Sequence, residues 1–295
     1  MELIKMVEKF KTKKKCIAYL EKQRWADTPI CPYCNSTKNT YKPKEFRHTC
    51  HTCGKSFSVL VGTIFESTKL PLTKWFVAIG LILNAKKGIS SLQLSRDLNV
   101  NKNTAWYLQK RIRQAMQDNT LTLKGIVEID ETYVGGSLSN KHYYKKLESG
   151  KYHKTGMEHK VPVLGMIERE GRIILKVLEK ASAKDIRPFV KLKIEPNSTI
   201  VTDGFGGYTG LKDHFDNHVV LNHSQYERKN NQFNTCTLEG FWTLIKRAFI
   251  GQYHKISRIH MQSYLNELAF KHNNKNLNMF NLLINNLLQV DYATI

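Results

Sequence analysis

The stretch GIVEIDETYVGG, residues 125–136, decides how the second half of this chain folds. Its β-branched and aromatic residues, bounded by glycine, read as a strand. Side chains along a strand point to opposite faces in turn. Glu128 and Asp130 therefore share one face, while Val127, Ile129 and Glu131 share the other. Neither face is uniformly apolar, so periodicity does not choose among the three carboxylates. Working outward, VPVLGMIE (161–168), RIILKVLE (172–179), STIVTDG (198–204) and HVVLNHS (218–224) also read as strands. A helix is expected near Lys184 to Leu192, between the third and fourth strands, and a short one before the fifth. Three more helices are expected to start near Thr237, Ser257 and Asn276. Strands interspersed with helices place this half in the α/β class.

Two further acids stand out beside Asp130. Asp203 lies in TIVTDGFGGY (199–208), where glycines suit a strand end that turns sharply and leaves a carboxylate exposed. Glu239 lies in NTCTLEGFWTLIKR (234–247), just inside a helix that Thr235 or Thr237 could cap. Each has a plainer role: a turn aspartate, or an acid favoured by a helix dipole. Carboxylates from two strands and a helix can nevertheless converge and hold two divalent ions. Paired metals about 3.5–4 Å apart serve phosphodiester chemistry. Lys246 follows Glu239 two helical turns later, where an ammonium could reach a phosphate.

The formal net charge of +21, from 46 Lys and Arg against 25 Asp and Glu, implies a polyanionic partner. Ribosomal or membrane-surface association would satisfy the charge but leave the acids unexplained. Hydrophobic residues at 41% are enough for a core. No apolar run approaches the roughly 20 residues of a membrane span. The amino terminus, MELIKMVEKFKTKKKC, is broken by charges and lacks a signal-peptide core. Cytoplasmic, nucleoid-associated residence is the expectation, and there cysteines are thiols or metal ligands.

Cys31-x-x-Cys34 and Cys50-x-x-Cys53 flank a fifteen-residue spacer. Each pair places two thiolates on one knuckle, and two knuckles complete a tetrahedral site for one structural Zn²⁺. Gly54 supplies the backbone freedom such a knuckle requires. His48 and His51 are bystanders or phosphate contacts, and Cys16 and Cys236 are ordinary thiols. Ahead of the ribbon, Leu3, Val7 and Phe10 suggest one short basic helix. Behind it, apolar spacing is helical from about Pro71 to Met116. Within this region Leu92 or Leu94, Leu98, Val100, Ala105 and Leu108 suit two helices joined by a turn, with Asn101 capping the second. That helix-turn-helix would present Lys102, Asn103, Thr104 and Tyr107 to base edges, and Lys110, Arg111 and Arg113 to phosphates. The polar segment from Ser137 to Lys160 reads as a solvated loop or a basic, tyrosine-bearing arm that meets DNA. The domain boundaries are a helical lead over 1–24, a zinc ribbon over 25–60, a helix-turn-helix region over 61–120 and a catalytic domain over 121–295.

With these pieces in place, the chain resembles the zinc-ribbon subgroup of DDE transposases from bacterial insertion sequences. The resemblance rests on CPYC…CHTCGKSFS, GTIFESTKLPLTKWF, VEIDETYVGG, VTDGFGGY, and LEGFWTLIKRAFIGQYHKIS followed by YLNELAFKHNN, running from about residue 30 to 275. It implies a ribonuclease-H-like mixed sheet with flanking helices. It also implies an acidic triad of Asp130, Asp203 and Glu239 holding two Mg²⁺ or Mn²⁺, with Lys246 beside it. Asp130 is thereby chosen over Glu128 and Glu131, and Glu131→Gln becomes an expected silent control. The activity implied is cleavage at the inverted-repeat ends of an element and attack of the freed 3′-OH on target DNA. Double-stranded DNA is the implied partner, and joining two ends requires a homodimer or larger assembly. The alternatives are a non-catalytic zinc-ribbon, helix-turn-helix regulator and a stand-alone nuclease on the same fold.

Overall fold

Thr12 divides the amino-terminal helical stretch in two. In the computed structural model, which describes residues 3–135, 160–169, 171–221 and 235–289, helices α1 (Leu3–Lys9) and α2 (Lys13–Trp25) meet at this residue. The Thr12 hydroxyl accepts from Lys15 N at 3.3 Å, a side-chain cap that starts α2 afresh. Met6 and Phe10 are buried while Val7 is 42% exposed, so the apolar face differs by one residue from the expected one. The chain forms two compact units, Met1–Gln117 with Asn274–Ile295, and Asp118–Asn273.

In the first unit, strands β1 (Asn39–Lys42), β2 (Arg47–Cys50) and β3 (Ser56–Phe57) form an antiparallel sheet. Its inner edge packs on α2, where Trp25 meets Phe57 and His48 edge-on. His48 is buried and bonds Asn39 Oδ1 at 2.9 Å and Glu21 Oε1 at 3.2 Å, which makes it a core residue of the ribbon. Helices α3 (Leu72–Asn84), α4 (Ser91–Leu98) and α5 (Lys102–Gln114) follow. Ser90 caps α4 by accepting from Gln93 N, and Asn101 caps α5 by accepting from Asn103 N at 2.8 Å. Asn99 ends α4 in the left-handed region at φ 48°. Leu94, Leu98, Ala105, Leu108 and Ile112 are buried, whereas Leu92 is 47% exposed, so Leu94 carries the α4 contact.

The last described helix of the chain corrects the boundary expected at 121–295. Helix α9 (Met279–Gln289) belongs to the first unit, not to the second. Phe280 stacks on Phe10 with centroids 5.7 Å apart and also meets Phe76 and Tyr19, while the Tyr19 hydroxyl donates to Asn281 Oδ1 at 2.6 Å. Phe280, Leu283, Ile284, Leu287 and Leu288 form an apolar stripe at helical spacing that is buried there.

The second unit is built on a five-stranded sheet of order β6-β5-β4-β7-β8. Its strands are β4 (Ile126–Val134), β5 (Val161–Glu168), β6 (Ile173–Val177), β7 (Thr199–Asp203) and β8 (Asn217–Leu221). β4–β5 and β5–β6 pair antiparallel, whereas β4–β7 and β7–β8 pair parallel. All five expected strands are present, and the sheet is mixed, as the ribonuclease-H-like class requires. On one face Val127, Ile129, Leu164, Met166 and Ile200 pack on α6 (Ala183–Lys193) through Ile186 and Val190. On the other, Val134, Val163, Ile167 and Leu175 pack on α7 (Cys236–Ala248) and α8 (Arg258–Asn273). Each buried leucine, isoleucine or valine in these layers contributes about 1.5–3 kcal/mol relative to exposure. No helix among the described residues is long and apolar enough to cross a membrane.

Candidate active site and zinc centre

Parallel pairing of β4 and β7 determines where the first two acids lie. Glu128 is in register with Val201, so two residues further along each strand Asp130 comes beside Asp203. Asp203 ends β7, and its Oδ1 accepts from Phe205 N at 3.0 Å, which turns the chain sharply away from the sheet. Glu239 is exposed in the first turn of α7, the helix that covers the Asp130 face of the sheet. Burial pushes the Asp130 carboxyl above the usual aspartate range. An indole bond from Trp242 opposes that rise, and the charges of Asp203 and Glu239 add to it. Asp130 is therefore the buried member of the set, with the other two acids near enough to act on it. Their donors are hard carboxylate oxygens, which suit Mg²⁺ or Mn²⁺, and a divalent cation would relieve their mutual repulsion.

The two neighbours of Asp130 have different roles. Glu128 is fully buried, and its two oxygens accept from Thr237 Oγ1 at 2.9 Å and Leu238 N at 3.2 Å. Burial raises its carboxyl, and those two donors oppose the rise. Thr235 occupies the N-cap position of α7 but makes no side-chain cap bond, so Glu128 does the capping from the sheet. Glu131 projects from the opposite face and accepts the Tyr208 hydroxyl proton on Oε2. Burial pushes its carboxyl up to about 7, against the Tyr208 bond, and the charges of Asp203 and Asp130 push the same way. Glu131 thus sits on the α6 side of the sheet with Tyr208 as its hydrogen-bond partner. Lys246 is exposed on α7, at helical spacing from Glu239 and Thr243.

Two positions that sequence reasoning missed complete the site. Trp242 donates its indole N–H to Asp130 Oδ2 at 2.8 Å. Gly165 pairs directly with Asp130 on β5, and a Cβ there would sit 2.5 Å from Trp242 Cη2 and 2.9 Å from Leu238 Cδ1. The glycine forms the notch that admits the indole. An isolated glycine inside the apolar run VPVLGMIE was the available signal, because such glycines mark a close approach.

The four cysteines of the ribbon form the second centre. Among the described residues they are the group of three or more His, Cys, Asp or Glu whose ligand atoms all lie within 4.8 Å of one another. Asp130, Asp203 and Glu239 are not drawn together to that spacing. Both knuckles repeat one pattern. Asn35 N and Gly54 N return to the carbonyls of Cys31 and Cys50 at 2.9 and 3.0 Å, and both residues have positive φ. A backbone N–H from Cys53 draws the Cys50 thiol down to about 6 against the effect of its burial. Four converging thiols on two equivalent turns fit a closed tetrahedral zinc site.

Residues 122–273 match the family model described as the ISXO2-like transposase domain, which covers more than half of the chain. The chain belongs to the ISXO2-like transposase family. Residues 11–56 match the transposase zinc-ribbon domain. The transposase is also similar to an uncharacterized protein in transposable element ISH50 of Halobacterium salinarum, 26% identical over 88% of this chain and 90% of the relative. An uncharacterized transposase-like protein of Haemophilus influenzae is 24% identical over 36% of this chain and 85% of its own length.

In the α4–α5 helix pair of the transposase, Lys102, Asn103, Thr104 and Tyr107 are exposed at the amino-terminal end of α5, and Lys110 is partly exposed. Arg111 and Arg113 are only 4% and 2% exposed, which corrects their assignment to a phosphate-binding cluster. The Arg111 guanidinium lies 5.5 Å from the Trp75 ring centroid and 5.6 Å from that of Tyr107, so aromatic side chains cover it. The segment expected to form a basic arm, 137–160, lies outside the described residues except for Lys160.

Proposed function

We propose that this transposase binds the inverted-repeat ends of its element, cleaves them and joins the freed 3′-OH to target DNA. The observation that carries the reading is the parallel β4–β7 register that brings Asp130 beside Asp203, under the helix whose first turn bears Glu239, in a domain of this family. When bound, a pair of Mg²⁺ or Mn²⁺ ions supplies activation of the attacking oxygen and stabilisation of the leaving oxygen. Asp130, Asp203 and Glu239 would hold them. Trp242 fixes the Asp130 carboxylate, Glu128 fixes the first turn of α7, and Lys246 offers a positive charge to a phosphate oxygen. In joining, the 3′-oxygen forms a bond to the target phosphorus as the existing phosphorus–O3′ bond breaks, so no energy-rich cofactor is consumed. Exposed Lys102, Asn103, Thr104 and Tyr107 would read base edges, with Lys110 on a phosphate. Two ends need two active sites, hence a dimer or larger assembly on DNA. One Zn²⁺ on Cys31, Cys34, Cys50 and Cys53 would hold the ribbon.

The test uses a labelled duplex carrying the element's terminal repeat, a target plasmid and Mg²⁺ or Mn²⁺. The parent protein is expected to nick at the boundary and form joined products. Asp130→Asn, Asp203→Asn and Glu239→Gln are expected to do neither while still binding the ends, and Lys246→Ala is expected to react slowly. Cutting without joining would identify a nuclease, and binding with neither would identify a regulator. Full activity in Asp203→Asn would refute the metal assignment.

A further inference from the structure

We infer that Glu128 is a positioning residue for the reaction, a buried carboxylate that caps α7 from within the sheet and thereby sets Glu239 against Asp130. This inference rests on the reading of Asp130, Asp203 and Glu239 as the metal-holding acids. The first turn of a helix leaves backbone N–H groups without intrahelical partners, and a side chain at the N-cap normally satisfies one of them. In α7 the N-cap residue, Thr235, makes no such bond. Its hydroxyl instead lies 3.4 Å from Glu239 Oε1.

Glu128 takes over the capping. It is fully buried on β4, one strand repeat before Asp130 and on the same face. Its Oε1 accepts from Thr237 Oγ1 at 2.9 Å and its Oε2 from Leu238 N at 3.2 Å. Those donors immediately precede Glu239 in sequence. One helical turn later Trp242 returns to the same strand and donates to Asp130 Oδ2 at 2.8 Å. Two polar attachments therefore join α7 to β4 on either side of Glu239, at 237–238 and at 242. A helix pinned at two points along one strand cannot slide or rotate without breaking one of them. Glu239 lies between the two attachments in sequence, so the bonds that fix the helix also limit where its exposed carboxylate can stand relative to Asp130. A residue used only for stability would not need two directed acceptors two positions from Asp130, because an apolar side chain would fill the same space at lower cost.

The experiment uses full-length, zinc-loaded protein, with Glu128→Leu and Thr237→Val as disrupting variants and Thr237→Ser as the conservative one. Without added Mg²⁺ or Mn²⁺, hydrogen exchange is read at the Leu238 amide and the Trp242 indole N–H. In Glu128→Leu both are expected to exchange about tenfold faster or more, as befits loss of a bond to a carboxylate. Exchange in β5 and β6 should stay at the parent value. Mn²⁺ is then titrated by electron paramagnetic resonance, with Asp203→Asn as the reference for binding elsewhere on the chain. Asp203-dependent Mn²⁺ affinity is expected to fall about 10- to 100-fold in Glu128→Leu, the range for partners that orient a metal ligand. Thr237→Val should move the same readouts in the same direction, and Thr237→Ser should restore them. A folded Glu128→Leu that keeps parent protection at Trp242 and parent Mn²⁺ affinity overturns the inference. If Glu128→Leu does not fold, Thr237→Val decides on the same readouts. Absence of any Asp203-dependent Mn²⁺ binding in the parent would refute the metal reading instead, and exchange at Trp242 would still decide the positioning role.

Discussion

Trp242 donates its indole N–H to Asp130 Oδ2 at 2.8 Å, from a ring that occupies the space left by Gly165. The three residues come from a helix and two antiparallel strands, and Gly165 lies directly opposite Asp130 in the β4–β5 register. A charge-assisted bond of this kind holds one carboxylate oxygen in a fixed direction, which is what the proposed sharing of a cation with Asp203 and Glu239 would require.

Gly165→Ala is expected to displace the indole, since the added carbon would lie 2.5 Å from Trp242 Cη2 and the ring has no flexible end to move aside. Trp242→Phe removes the donor and leaves a space in the surrounding core. The first should cost about 1–3 kcal/mol of stability through overpacking, and both should slow end cleavage well beyond what their stability loss explains. Thermal melting and single-turnover cleavage on the same preparations check this. Parent cleavage rates in Gly165→Ala would show that the indole does not orient Asp130.

Glu131→Gln is expected to alter the reaction and not to serve as a silent control. The side chain neighbours Asp130 in sequence on β4 and accepts from buried Tyr208, so replacing its carboxylate changes both that bond and the charge close to Asp130. Divalent-metal titrations of cleavage should shift in Glu131→Gln, whereas Asp213→Asn, exposed beyond the end of β7, should match the parent. Superimposable titrations for both variants would count against that effect.

The strands and most helices were legible because β-branched runs and helical spacing are local properties. Partner choice was not. Glu128, Asp130 and Glu131 look equivalent within VEIDET, and what distinguishes them is Thr237, Trp242 and Tyr208, more than seventy residues away. The stripe from Phe280 to Leu288 says that α9 is buried on one side, but nothing in it says that the cover is α2 and α3. Arg111 and Arg113 read as solvated charges because Trp75, which covers one of them, lies on a different helix. Gly165 interrupts the apolar run VPVLGMIE, a local mark of close approach that does not name Trp242 as the group approaching. The four-cysteine cluster was readable because a knuckle carries its whole geometry within a few residues.

Elemental analysis of protein purified without chelator is expected to give one zinc per chain. Cys50→Ser should abolish it, because the four thiols act as one site and the unfolded ribbon has no preformed equivalent. Hydrogen-exchange protection should then be lost in β1 and β2 while β5 and β6 keep theirs, since the latter belong to the other compact unit. Retention of a full equivalent of zinc in Cys50→Ser would displace the proposed ligand set.

Removing Lys110 is expected to lower the slope of log K against log salt by about 0.9 if it neutralises one phosphate. Arg111→Ala should leave that slope alone and instead cost about 2 kcal/mol of stability, because the guanidinium is buried against Trp75 and Tyr107. Changes at Lys102 or Asn103 should relax discrimination between terminal-repeat and unrelated duplexes with little effect on salt dependence. Salt titrations on both duplexes separate the three outcomes. An Arg111→Ala protein of parent stability and reduced slope would return that residue to the DNA surface.

Acid sensitivity is expected to arise partly at His218 on β8, beside the strand that ends in Asp203. Burial holds its imidazole below the ordinary value of 6.5. Its Nε2 lies 2.9 Å from Thr202 Oγ1, and that hydroxyl in turn donates to the Asp203 carbonyl at 2.9 Å. With the hydroxyl proton committed to Asp203, the neutral Nε2–H form of His218 is the matching donor. Below pH 6.5 the unfolded chain binds a proton that the native protein resists, so stability is fully present above 6.5 and is lost as pH falls through the depressed native value. His218→Gln keeps an amide N–H for Thr202 and removes the titration. Between about pH 7.5 and about pH 5.5 the parent should lose more unfolding free energy than His218→Gln, by up to the equivalent of one bound proton. Denaturant unfolding at both pH values measures the difference. Identical losses in the two proteins would show that this imidazole titrates alike in the folded and unfolded chains.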